Sequence, residues 1–155
     1  MKPSRFLTRI VVTVVIVAVT ALPAFGALGE HADSIAADRK AISAVRSATK
    51  VTKDFTVVEV ASETVTVREY VSPAGIVFGM AWNGLTNPDL STLLGSYAGS
   101  YEEARRQAPK RRGSRTSQVK TGKVVVETWG HMRNLQGRAY APELVPQGVN
   151  IDEIK

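Results

Sequence analysis

Apolar positions along this chain of 155 residues change their spacing several times, and each change marks an element. Ile10 to Leu22 is an apolar run of 13 residues behind Lys2, Arg5 and Arg9, and Pro23, Ala24, Phe25 and Gly26 follow it. A cationic start, a short apolar stretch and small residues make the pattern of a cleavable export signal. The run falls short of the roughly 20 residues that a spanning helix needs. Ala24 and Gly26 suit the two small pockets of a signal peptidase, so cleavage is expected after Gly26. The other reading of the same run is an uncleaved membrane anchor.

Helical spacing comes next. Ser34 is placed to cap a weak first helix running to about Ala48, with Ile35, Ile42 and Val45 as a thin apolar stripe. Three stretches rich in β-branched and aromatic residues then predict consecutive antiparallel strands at Phe55 to Ala61, Thr64 to Val71 and Gly75 to Trp82. In the third, Ile76, Phe78, Met80 and Trp82 alternate with Val77, Gly79 and Ala81, and the larger set is expected to face the core. Asn87, Pro88 and Asp89 announce the main helix: an Asn N-cap, Pro at the first helical position and a carboxylate near the positive end of the dipole. Leu90, Leu93, Leu94, Tyr97, Ala98, Tyr101, Ala104 and Ala108 fall on one side of that helix and predict the side that packs on a sheet.

Beyond Pro109 the pattern returns to strands at Thr116 to Lys120 and Lys123 to Trp129, with a hairpin at Thr121 and Gly122. His131 to Ala141 predicts a last strand, bent or bulged near Gly137. The Pro142, Pro146 and Gly148 region reads as a tail with little regular structure. Hairpin-length connections exclude the crossovers of a parallel sheet. The expectation is therefore α+β: a single antiparallel sheet of about five to six strands with one main helix on a face. Strand order is not legible at this level.

Composition narrows the chemistry. The chain has no cysteine, which removes disulfides, thiolate metal sites, a cysteine nucleophile and a lipid-modified cysteine. Loss of residues 1–26 would leave 129 residues, enough for one domain with its own core. It would also lower the formal charge from +6 to +3, because three basic and no acidic residues leave with the signal.

The only histidines are His31 and His131, and neither stands in the spacing of a metal motif, so no metal or cofactor is expected. Gly95, Ser96, Tyr97, Ala98 and Gly99 lack the residue that separates the first glycine from the serine in a nucleophile elbow. No glycine loop is built to cradle phosphate. Glu69, Asp89 and His131 are the candidates for acid–base catalysis, on the condition that the fold brings them together. Trp82, Trp129, Tyr70 and Tyr140 lie on expected strands, where aromatics either pack the core or line a shallow pocket.

Two surface features stand out. Ser91, Thr92, Gly95, Ser96 and Gly99 share the helix side opposite the leucines, with no charge before Glu102. That side is either simply exposed to water or, because small residues permit close approach, covered by another element or by self-association through Ser91, Gly95 and Gly99. Between Arg105 and Lys123 stand eight Lys or Arg and no acidic residue. Glu102 can pair with Arg105 and Arg106. Lys110, Arg111, Arg112 and Arg115, in the basic loop at 109–115, have no such neighbour and predict an extended segment that either is simply solvated or docks on a polyanion. No aromatic stands between Glu102 and Thr128 to stack bases, which argues against nucleic acid.

The stretch from Val67 to Phe78 (Val67, Arg68, Glu69, Tyr70, Val71, Ser72, Pro73, Ala74, Gly75, Ile76, Val77, Phe78) resembles a family of short exported bacterial proteins called domain of unknown function 2844. The likeness continues through Trp82, Asn83 and Gly84, then Pro88, Asp89 and Leu90, then Leu93, Leu94, Gly95, Ser96 and Tyr97. It extends to Gly130, His131, Met132, Arg133, Gly137, Arg138, Ala139 and Tyr140, and to the ending Leu144, Pro146, Gly148, Val149, Asp152, Glu153 and Ile154. The resemblance implies export and carries no activity with it. By elimination, the leading expectation is a non-enzymatic binding or scaffolding protein of the periplasm, or one secreted, with docking on a polyanionic envelope component as one form it could take. The alternative is an enzyme acting on an envelope polymer through a carboxylate and His131.

Overall fold

Valine-rich segments of alternating exposure are the framework, and a computed structural model shows how they pair; it describes residues 28–32, 46–109 and 115–155. Strands β1 (Arg46–Val51), β2 (Thr56–Ala61), β3 (Val65–Val71) and β4 (Val77–Gly84) form a meander. After the helical region come β5 (Ser117–Lys120), β6 (Val125–His131) and β7 (Asn134–Tyr140). All seven join one antiparallel sheet in the order β1-β2-β3-β4-β7-β6-β5. The sheet thus has more strands than the sequence pattern predicts. The extra one is β1: the first helix was expected to reach Ala48, but the backbone from Arg46 to Val51 is taken up by a ladder along β2. The remainder of that expected helix, 34–45, lies outside the described residues.

Cross-strand pairing sorts side chains onto two faces. Val67, Met80, Trp82, Val126, Ala139 and Val119 point to one, where Leu93, Leu94 and Tyr101 of the helical region cover them. Tyr70, Phe78, Ala81, Val125 and Tyr140 point to the other. Phe78 is a correction, since simple alternation puts it with Met80 and Trp82. Tyr70 pairs with Gly79 but Val71 pairs with Val77, so Phe78 is an extra residue and the register slips there. A bulge of this kind reverses the alternation beyond it. Val77 therefore joins Val58, Val60 and Val71 on the helix face, and Phe78 packs edge-on to Phe55 and Tyr70 on the other.

The expected irregularity at Gly137 is absent; this residue pairs in register with Trp82 on one side and Thr128 on the other. Its glycine has a packing cause, because a Cβ there would stand 2.2 Å from Cζ2 of Trp82. The indole occupies the space a side chain would take.

The main helix packs the predicted side on the sheet, with Leu93, Leu94 and Tyr101 buried and Leu90, Tyr97, Ala98 and Ala104 around them. It is not continuous. Helix α1 (Leu90–Leu94) ends at Gly95, a 3₁₀ turn spans Gly95–Tyr97, and α2 (Ala98–Gln107) follows. The N-cap is Asp89, not Asn87: its carboxylate accepts from the Ser91 N–H at 3.0 Å. Asn87 has another task, accepting from the Trp82 indole N–H at 3.3 Å.

The tail after β7 has little regular structure beyond two 3₁₀ turns, Pro142–Leu144 and Ile151–Glu153, yet it covers the second face. Ile154 is fully buried there, and Leu144, Val145, Val149 and Ile151 pack beside it. At the other end of the chain, Leu28 is buried among the helix-face residues and donates its N–H to Leu93 O at 3.0 Å. Gly29 and Glu30 bond the backbone of Val77, so the first described residues run beside the start of β4.

Candidate functional site

The three residues that acid–base chemistry would need have separate local duties. Glu69 is completely buried on the helix face, level with Val58 and Met80. Asp89 is exposed, and its two oxygens accept from the Ser91 and Thr92 hydroxyls at 2.6 and 2.8 Å. Those side-chain bonds, with lesser help from the backbone N–H groups, hold its carboxyl below the usual carboxylate range against the opposing effect of burial. His131 is exposed at the end of β6, with Nδ1 3.2 Å from Met132 O. From Glu69 to His131 is three strands across and five residues along, on the order of 20 Å at ordinary sheet spacings. The sheet does not bring Glu69 and His131 into one cleft. Among the described residues there is no cluster of His, Cys, Asp or Glu able to hold a metal, and no helix long and apolar enough to cross a membrane.

Of the basic loop, Arg115 is described and exposed; Lys110, Arg111 and Arg112 lie outside the described residues. Ser117 pairs with Thr128, so Arg115 enters β5 beside the Gly130 end of β6. The turn between β6 and β7 stands at the same end, with Met132 89% exposed and Arg133 exposed at a positive φ of 68°. Leu85, 52% exposed, leaves β4 there too, because Gly84 and Gly130 both pair with Leu135. This end of the sheet therefore joins two protruding apolar side chains to two arginines, with Glu63 of the β2–β3 turn as the nearby exposed acid. Further back, Arg105 bonds Glu102 at 2.8 Å as expected on a helix surface.

The small-residue side of the helical region is open, with Ser91, Ser96 and Gly99 exposed. Gly95 has a local explanation. It holds φ 50° and ψ −119°, a conformation suited to glycine, while capping α1 through its N–H to Thr92 O.

On the tail face, a transverse row crosses the sheet, polar except for Ala81 at its middle: Glu59, Arg68, Ala81, Arg138, Glu127 and Gln118. Arg68 pairs with Glu59 at 2.9 Å, and Arg138 pairs with Glu127. The two arginines flank Ala81 and turn toward the tail, Arg138 donating to Ile151 O at 3.0 Å and Arg68 reaching Lys155 O at 3.5 Å. Burial disfavours the charge on Arg138, but the bonds and charges of Glu127 and Asp152 win, and its pKa is raised. Beside this row stands Trp129, half-buried, its indole N–H donating to Gln136 at 3.0 Å.

Comparison with known proteins adds one fact. The family model described as "Protein of unknown function (DUF2844)" matches residues 24–154. The chain belongs to the DUF2844 family. No curated protein and no solved structure matches it. In this DUF2844 chain the residues that carry the family likeness around the helix are fold-bearing. Trp82 covers Gly137, Asp89 caps α1, Leu93 and Leu94 fill the core, and Gly95 breaks the helix.

From sequence, Trp129 is a strand aromatic that either packs or lines a shallow pocket, Arg138 belongs only to the family likeness, and Gln118 and Glu127 carry no signal of a site. Each is an ordinary surface residue by pattern. Only the order β7-β6-β5 sets them side by side.

Proposed function

We propose that this protein is an exported, non-enzymatic binding domain that docks on a polyanionic component of the bacterial envelope through the end of the sheet where Arg115 and Arg133 stand. The observation that carries this reading is the joint exposure of Arg115, Arg133, Met132 and Leu85 at that end. The chain segment entering β5 there carries Lys110, Arg111 and Arg112 in sequence. Arginine makes charge-assisted contacts to phosphate and carboxylate, and protruding apolar side chains add contact area at a lipid surface. Separation of Glu69 from His131 weighs against the enzymatic reading through that pair, since a general acid or base must reach the same substrate.

Export rests on the apolar run behind Lys2, Arg5 and Arg9. Mass spectrometry of the protein from its own envelope should find Ala27 at the N-terminus; an intact Met1 chain in the membrane fraction would contradict it. Docking is tested by comparing the protein with a variant in which Lys110, Arg111, Arg112 and Arg115 are all changed to Ala, on anionic and neutral vesicles. Binding by the first protein alone, and to anionic vesicles alone, is the expected result.

A further inference from the structure

We infer that the groove on the tail face over β5, β6 and β7 is a binding site for a neutral saccharide. A cavity of about 470 Å³ opens there, with Gln118, Glu127, Trp129, Arg138 and Lys155 in its walls. That volume lies within the usual range for small-molecule sites and suits a short oligosaccharide.

The lining has the chemistry a sugar requires. Sugar hydroxyls both donate and accept, and they are best met by planar polar groups held in fixed orientation. Here Gln118 donates to Glu127 Oε1 at 2.6 Å, while Arg138 donates through Nε to the other oxygen of the same carboxylate. Among the described residues this chain of three side chains leaves the Gln118 amide oxygen and Nη2 of Arg138 for a ligand. The carboxylate and guanidinium at its centre, with side chains only 20% and 19% exposed, neutralise one another, and Asp152 on the same guanidinium and Lys155 in the wall add one charge of each sign. A floor of that kind favours an uncharged polyol over a phosphate.

Trp129 supplies the remaining element, an aromatic surface for the C–H face of a pyranose ring. Its orientation is fixed from behind: Gln136 accepts from the indole at 3.0 Å and itself donates to Asn134 Oδ1 at 3.0 Å. A ring locked by neighbouring bonds loses little freedom when a ligand stacks on it.

The test is an NMR titration of the isotope-labelled full chain with cellotriose, maltotriose and tri-N-acetylchitotriose, each to about 10 mM. At least one should move the Trp129 indole resonance in a saturable way and leave that of Trp82, which is buried on the helix face, in place. Affinity should fall at least about tenfold in both Trp129→Ala and Gln118→Ala. Gln118 is exposed on an edge strand, so its variant keeps the test valid should Trp129→Ala fail to fold. Binding should be unchanged in about 0.5 M salt, which separates it from charge-driven docking. No saturable shift with any of the three sugars, unchanged affinity in Gln118→Ala, or loss of binding in salt would overturn the assignment.

Discussion

Tyr70 and Lys155 are 85 positions apart and bond each other twice: the phenol donates to Lys155 O at 2.9 Å and accepts from the Lys155 N–H at 3.0 Å. Tyr70 is buried on the tail face beside Phe55 and Phe78, so the tail is pinned where the apolar part of that face ends. Tyr70→Phe keeps the ring and removes both bonds. It should cost about 1–3 kcal/mol in denaturant unfolding and speed hydrogen exchange at Lys155. An unchanged unfolding midpoint would show that the tail is held by Ile154 and its neighbours alone.

Gly137→Ala tests the packing of Trp82. The added methyl would meet the indole at 2.2 and 2.5 Å and Glu127 O at 2.8 Å, so the ring must move. A loss of about 1–3 kcal/mol is expected. Gly99→Ala is the matched control, because nothing lies within 4 Å of its added carbon. That change should be neutral or should stabilise α2 by up to ~1 kcal/mol.

The Asp89 cap gives a pH signature. Its folded pKa is depressed, chiefly by the Ser91 and Thr92 hydroxyls; the stability it confers is therefore present above the unfolded pKa and lost as pH falls through the folded one. Asp89→Ala should destabilise by about 0.5–2 kcal/mol at neutral pH. The gap between the two proteins should hold down to about pH 5 and then close as pH falls below about 4. A gap that persisted in acid would mean that the cap acts without its charge.

Arg133 occupies left-handed backbone at φ 68°, a conformation that costs an L-residue energy and glycine little. Arg133→Gly should raise stability by up to ~1 kcal/mol in thermal or denaturant unfolding. The same change removes a cation from the proposed docking end, so binding to anionic vesicles should weaken while stability improves. Weaker folding and weaker binding together would instead assign Arg133 a role in holding the hairpin.

Much of this architecture was legible in the sequence because its period was. Leu90, Leu93, Leu94 and Tyr101 repeat with the helix and do face the sheet, and six of the seven strands fall on expected extended segments, β2, β3, β4 and β6 on runs rich in β-branched residues. Three features were not legible. The segment Arg46–Val51 has mostly small or polar residues that look alike in strand or helix, and it is a strand because β2 offers it a partner. The bulge at Phe78 appears only when cover on both faces decides which side each aromatic must take. Asn87 and Asp89 are both good caps, and the Trp82 indole, occupying Asn87, leaves the helix to Asp89. The candidate sites were less legible than the fold. Whether Glu69 meets His131, or Gln118 meets Arg138, depends on strand order, and no local pattern encodes that.

Docking through the Arg115 and Arg133 end is tested by co-sedimentation of the protein with vesicles rich in anionic phospholipid, over a salt series from about 50 to 500 mM. Binding should be clear at the low end and fall steeply as salt is added, with neutral vesicles left unbound throughout. Binding of equal strength to both kinds of vesicle, or binding indifferent to salt, would contradict it.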